Sequence, residues 1–302
     1  MLDTIWRAVS ILSMSALGMW IVCLAGGSPG KGRLTEMQWR EVHLPDVHWA
    51  PQGLPGRLKA LPGWAARLAG EARFAGEVLK FDVDLPLARY SQTPVARQVL
   101  VIPGFGFGDV ATLPMQIALK RAGFQVVCSE IAFNVRCSDR AVDRLAQVAR
   151  VAVERDGKRL MVVGHSRGGM LARGLAARHP ELVSTVISLG APLNDEFAFY
   201  EIPQPVVGVL KLVHHRDPEL RERACVTRDC TCPYMLATHR PLPDSVELVS
   251  YYTTSDGIVD WRACVVPGAE NIEVPGSHLG MGLRPATVRL VMERLIHSAE
   301  VY

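Results

Sequence analysis

From residue 98 to residue 297, short apolar runs alternate with amphipathic stretches of helix length, and this rhythm limits the fold more than any other feature of the chain. Gln98–Ile102, Phe124–Cys128, Arg159–Val163, Thr185–Leu189, Val246–Tyr251 and Asn271–Val274 read as strands. They are nearly continuous in apolar and β-branched residues, the pattern of strands covered on both faces. Leu113–Ala122 reads as a helix with Pro114 in its first turn and Gly123 as its stop. Ser138 is the expected N-cap of a helix in which Val142, Leu145, Ala149, Ala152 and Val153 recur at helical spacing up to Asp156-Gly157. Arg167–Arg178 is a third helix, and a last one follows Pro285 with Val288, Val291, Met292 and Leu295 on one face. Strands separated by helices pair in parallel through right-handed crossovers. The expectation is an α/β fold: a mostly parallel central sheet with helices on both faces.

Composition narrows the class. Hydrophobic residues are 49% and charged residues 21%, which supports a sizeable core and excludes a disordered chain. Thirty-three Lys and Arg against 30 Asp and Glu leave a net charge of +3, with no basic run, so nucleic acid is not an expected partner. Nothing in the sequence bears on oligomeric state.

Three regions break the rhythm. Residues 1–30 form a hydrophobic segment that is uncharged from Ala8 to Gly30, with Arg7 before it and Lys31 and Arg33 after it. Three readings compete: an uncleaved anchor or membrane-docked helix, which is favoured; a cleaved signal ending near Leu24-Ala25-Gly26-Gly27; and a buried N-terminal helix. The first two place the protein at a membrane or in the cell envelope, the third in the cytoplasm. Residues 31–95 are an extension rich in Pro, Gly and Trp. In it Trp64, Leu68, Ala72, Ala75 and Leu79 share a helical face, expected to pack on a domain edge rather than lie on a membrane. Residues 193–245, within the main domain of 96–302, form an insertion far longer than an ordinary αβ connection. Its apolar first half reads as a cap over a site; the competing reading is a structural excursion with one extra helix.

Seven cysteines are present. Cys225, Cys230 and Cys232 do not make a good zinc pattern even with His214 and His215 nearby, so no metal or other cofactor is expected. In an exported chain a disulfide within that cluster, or from it to Cys264, is the expectation.

The chemistry is expected at strand ends. Gly164-His165-Ser166-Arg167-Gly168 is a G-x-S-x-G motif between an apolar strand and an amphipathic helix, the setting of a nucleophile elbow. The glycines leave room where strand and helix converge, so a strained turn can present Ser166 at the helix N-terminus. A serine hydroxyl needs a base. His278 follows a strand and the turn Pro275-Gly276-Ser277, where α/β sites collect. His165 adjoins the serine along the chain, so its ring is expected to point elsewhere. The base needs a carboxylate to fix its tautomer. Asp256 follows the strand ending at Tyr251-Tyr252 and completes the order Ser, Asp, His. Asp260 is its near competitor; Asp195 and Glu196, after the preceding strand, are the others. Two N–H donors for an oxyanion are expected: the backbone of Arg167, and Phe105 or alternatively Gly106 in the loop Pro103-Gly104-Phe105-Gly106-Phe107-Gly108.

Taken together, Val99–Gly108, the elbow at 164–169, Ser188-Leu189-Gly190-Ala191-Pro192, Ser255-Asp256-Gly257-Ile258-Val259 and Gly276-Ser277-His278 resemble the α/β-hydrolase superfamily. The chain is most similar to small bacterial lipases and esterases, including lipase-like hydrolases of actinobacteria, over about residues 97–297. The resemblance implies an α/β-hydrolase fold, Ser166 as nucleophile, Asp256 as acid, His278 as base, and Phe105 and Arg167 as oxyanion donors. It departs from many members in having Pro103-Gly104 where they have His-Gly, and Arg167 where an apolar residue is usual. The implied activity is carboxylic ester hydrolysis on an ester or lipid-like small molecule. An acyltransferase using the same triad and a catalytically silent binding module on this fold are the alternatives.

Overall fold

The structure is a computed structural model, and it describes residues 67, 71, 97–200 and 230–301. The hydrophobic segment at 1–30, most of the extension at 31–95 and the apolar part of the insertion at 201–229, with His214, His215 and Cys225, lie outside the described residues. No helix among the described residues is long and apolar enough to cross a membrane.

Six strands form one parallel sheet: β1 (Gln98–Ile102), β2 (Gln125–Cys128), β3 (Leu160–His165), β4 (Val183–Leu189), β5 (Glu247–Tyr252) and β6 (Glu270–Glu273). Their order is β2-β1-β3-β4-β5-β6, with every neighbouring pair parallel. Every residue of the interior strands β1 and β4 is buried, whereas the edge strands β2 and β6 are exposed at both ends. That contrast explains why the interior strands read as unbroken apolar runs.

The helices are α1 (Leu113–Arg121), α2 (Ser138–Asp156), α3 (Arg167–Arg178), α4 (Pro233–Thr238) and α5 (Pro285–Val301). Alternate strand residues divide between two cores, as a period of two requires. Val99, Val101, Met161 and Val163 meet α1 and α5 on one face; Leu100, Ile102, Leu160 and Val162 meet α2, α3 and α4 on the other. Val288, Val291, Met292 and Leu295 of α5 are all fully buried, as their spacing predicts. Ser138 does not cap α2. The cap is Cys137, whose carbonyl accepts the first helical bond from Ala141, so the helix begins at Ser138, one residue earlier than a Ser138 cap implies. Asp139, in its first turn, instead binds across to the Tyr234 N–H and to Arg178, tying α2 to α4 and α3. Gly157 stops α2 in the left-handed conformation at φ 69°.

The described ends of the insertion are structural. On leaving β4 the chain zips onto the loop after β5: Asn194 N–H donates to Ala263 at 2.8 Å, Tyr200 N–H to Ile258 at 2.9 Å, and Asp260 N–H to Ala198 at 2.9 Å. At the other end α4 buries Tyr234 and Met235 against α3, so tightly that a Cβ on Gly174 would lie 2.5 Å from the Tyr234 ring. Cys230 and Cys264 are unbridged thiols, so the disulfide expected from the cysteine cluster to Cys264 is absent. Cys264 lies under β5 in the interior, where burial pushes its thiol pKa far up.

The sheet order decides where a site can form. From β1 the chain moves outward to β2 and then returns to β3 on the other side of β1. The connections leaving β1 and β3 therefore run in opposite directions, and in open α/β sheets the crevice for a ligand lies at such a switch point, beyond the carboxyl ends of the strands. The glycine-rich loop and the serine elbow begin these two connections.

Candidate active site

Ser166 stands between β3 and α3 with φ 52° and ψ −123°, a region that side chains other than glycine avoid. Holding it there costs about 1–3 kcal/mol, which the surrounding packing must offset. Its N–H is fixed to the Leu189 carbonyl at 2.7 Å, and its own carbonyl accepts from Gly169 at 2.8 Å. The motif glycines are required by close approach. A Cβ on Gly164 would sit 2.3 Å from the Gly168 carbonyl oxygen, and one on Gly168 would sit 2.3 Å from that of Ile102.

His278 and Asp256 are brought together from the loops after β6 and β5. His278 Nδ1–H donates to Asp256 Oδ2 at 2.6 Å, with both side chains almost wholly buried. The other carboxylate oxygen, Oδ1, accepts from Ile258 N–H at 2.8 Å and Val259 N–H at 2.7 Å. Nδ1 is thereby held as the protonated nitrogen, which leaves Nε2 as the basic one. Burial is the largest single influence on the imidazole and pulls its pKa down. The Asp256 charge, the hydrogen bond donated to it and the Glu71 charge together outweigh burial, and the net shift is upward.

The elbow and the imidazole meet at the end of β4. Leu189 binds the Ser166 N–H, and a Cβ on the next residue, Gly190, would lie 3.2 Å from His278 Nδ1. Gly190 thus makes room for the ring, which gives the Ser188–Pro192 segment its meaning.

The His165 ring is turned to the loop that carries His278. Its Nε2–H donates to the His278 carbonyl at 2.8 Å, and the two rings lie 5.1 Å apart. Burial, then the neighbouring His278, depress the His165 pKa to about 4, so it is neutral near pH 7. It is a fixed donor that braces the His278 backbone.

In the glycine-rich loop, Gly106 is excluded as an oxyanion donor because its N–H already donates to Asn134 O at 3.0 Å. The Phe105 N–H has no hydrogen-bond partner among the described residues. Asn134, which no sequence motif flagged, organises this side of the crevice. Its Nδ2 donates to Pro103 O at 2.7 Å, its Oδ1 accepts from Arg167 Nε at 3.1 Å, and its backbone N–H donates to Phe107 O at 2.9 Å. The Arg167 guanidinium also binds the Arg136 carbonyl. One buried amide therefore ties the elbow to the donor loop. Replacing Asn134 with alanine is expected to loosen that loop and lower kcat by up to about 10²-fold with KM little changed. Steady-state kinetics on an activated ester check this.

The competing carboxylates have other partners. Asp260 Oδ1 accepts from Arg262 N–H at 3.1 Å and caps the short 3-10 turn Trp261–Cys264. Asp195 Oδ1 accepts from Phe197 N–H at 3.1 Å. Glu196 is half-buried near Arg173, His239 and Thr238; the loss of solvent raises its pKa and these neighbours oppose the rise.

A six-stranded parallel sheet with this order and a strained serine elbow after β3 is the α/β-hydrolase fold, and residues 99–210 match the family model described as alpha/beta hydrolase fold. Among individual proteins, the chain is 28% identical over 109 residues to a triacylglycerol lipase of Vibrio cholerae serotype O1, covering 34% of this chain. The chain matches only 35% of that lipase's length. It is similar in structure to the thioesterase domain from the curacin biosynthetic pathway, with a TM-score of 0.47 at 15% identity, covering 68% of this chain and 92% of that one. A thermostable carboxyl esterase from Bacillus coagulans aligns with a TM-score of 0.45 at 14% identity, over 68% of this chain and 90% of the esterase.

Proposed function

We propose that this chain hydrolyses carboxylic esters through an acyl-enzyme on Ser166. The observation that carries the reading is the buried Asp256–His278 pair at 2.6 Å, seated against the strand end that holds the Ser166 elbow. With Nδ1–H held by the carboxylate, Nε2 takes the Ser166 proton as Oγ attacks the ester carbonyl. The carbonyl oxygen becomes an oxyanion, and the backbone N–H groups of Phe105 and Arg167 are its donors. Collapse breaks the C–O bond and His278 returns the proton to the leaving alcohol. Water, deprotonated by Nε2, then attacks the acyl-enzyme and releases the acid, restoring Ser166. The oxyanion donors supply stabilisation without rearrangement during the reaction.

Lipid-like esters are the favoured substrate class. Phe105, on the donor loop, is 39% exposed, and Phe133, on the segment paired with that loop, is 46% exposed. Large apolar side chains left in solvent beside a site suit an acyl chain. The partial match to a triacylglycerol lipase supports the same class. The uncharged run at 8–30 supports a membrane-associated or exported setting.

A fluorophosphonate probe and a series of p-nitrophenyl esters of increasing acyl length test the reading. The expected result is labelling at Ser166 and turnover. Folded protein that neither labels nor turns over would mark a silent binding module, and acyl transfer to an added alcohol in preference to water would mark an acyltransferase.

A further inference from the structure

Glu71 lies outside the sheet and outside every motif above, yet its carboxylate sits between the loops that carry the acid and the base. Oε1 accepts the Gly257 N–H at 2.9 Å and the His278 N–H at 3.0 Å, and Oε2 accepts the Leu279 N–H at 3.0 Å. Gly257 directly follows Asp256, so one side chain bridges the two loops. Glu71 is 4% exposed. A buried carboxylate is tolerated only when hydrogen-bonded, and three backbone donors converge on this one.

The approach is close by construction. A Cβ on Gly257 would lie 2.7 Å from the Arg67 carbonyl oxygen and 3.1 Å from Glu71 Cγ, so only glycine admits these residues. Arg67 and Glu71 are both helical. Arg67 lays its guanidinium 4.4 Å from the Tyr200 ring, next to the point where Tyr200 N–H pairs with Ile258. His278 is thereby held at three points: its N–H by Glu71, its carbonyl by His165 and its ring by Asp256.

We propose that Glu71 is a positioning residue of the active site, locking the Asp256 and His278 loops into one unit so that imidazole and carboxylate stay aligned. This rests on the reading of Asp256 and His278 as acid and base. Glu71 also acts by charge. The titratable groups facing the imidazole are the Asp256 and Glu71 carboxylates and the His165 ring, and Glu71 favours the protonated form of His278.

The test uses the full-length chain with Glu71→Gln and Glu71→Asp. Glutamine keeps the shape but loses the charge, and its NH2 must face a backbone N–H where an oxygen stood. Four quantities are measured: kcat and KM against pH on p-nitrophenyl acetate, the rate of fluorophosphonate labelling, the NMR titration of the His278 ring, and Tm. Glu71→Gln is expected to lower kcat and the labelling rate by about 10²-fold with KM little changed. It should also move the acid limb and the His278 titration to lower pH. Glu71→Asp, which keeps the charge, should recover part of the rate. Wild-type kcat and an unmoved His278 titration in Glu71→Gln would overturn the proposal. So would a loss explained wholly by a smaller folded fraction whose members turn over at the wild-type rate. An inert, unlabelled wild type would instead sink the ester-hydrolase reading. The His278 titration then still decides on Glu71: a downward shift in Glu71→Gln supports its action on the ring, and no shift refutes it.

Discussion

Replacing Ser166 with alanine should abolish ester hydrolysis, a fall on the order of 10⁶ in kcat if the nucleophile and its base act as one unit. Tm should stay close to that of the wild type. The side chain is small, and the bonds that hold the residue, to Leu189 and Gly169, are made by its backbone. Alanine keeps the φ of 52° and so keeps the strain. Glycine does not. Ser166→Gly should therefore be equally inactive but more stable than Ser166→Ala, by about 1 kcal/mol, because glycine adopts this backbone region without steric cost. The order of the two variants in a denaturant titration checks the strain, and their turnover checks the nucleophile. Residual hydrolysis by Ser166→Ala at more than a trace of the wild-type rate would remove Ser166 from the mechanism.

Asp256→Asn is expected to lower kcat by about 10⁴-fold, and the hydrogen bonds around the residue say why. Oδ1 serves the N–H groups of Ile258 and Val259, so an asparagine must place its oxygen there. Its NH2 then faces His278 Nδ1, where a donor can only meet an unprotonated nitrogen. The imidazole is driven to the tautomer with its proton on Nε2, which cannot accept the Ser166 proton. Loss of the charge has a second effect with a defined sign. In the wild type the His278 pKa is raised, and the base works only when neutral. Activity should thus fall with decreasing pH through a value above the ordinary histidine pKa. Without the carboxylate that limb should move to lower pH, while the rate at its plateau remains depressed. Nitrogen NMR of the imidazole reports the tautomer, and kcat/KM against pH reports the limb. A variant with wild-type turnover and an unchanged tautomer would transfer the role of acid to another residue.

Parts of this site were legible before any coordinates, and the reason is local. The strand at 98–102 and the helix at 167–178 fall within their predicted bounds because periodicity and punctuation are properties of neighbouring residues. The elbow was legible for the same reason: Gly164, Ser166 and Gly168 must be consecutive in the chain to make one turn. Asp256 and His278 are legible as candidates because each follows a strand at the sheet end where α/β sites gather.

His165, Asn134 and Glu71 were not legible in this way. His165 adjoins the serine in sequence, yet its ring binds the carbonyl of residue 278. Asn134 lies in an unremarkable loop and matters because the β1 exit loop and Arg167 both reach it. Glu71 sits in a region whose sequence stands out by an apolar stripe, and the side chain that docks is not part of that stripe.

The sequence alone determined the alternation of strand and helix, the serine turn and the order of Ser166, Asp256 and His278 along the chain, because each depends on residue type and on neighbours along the chain. The tertiary structure alone decided which donors meet which acceptors around His278. A buried carboxylate or amide finds its partners through the packing of distant segments, and no spacing rule along the chain encodes that.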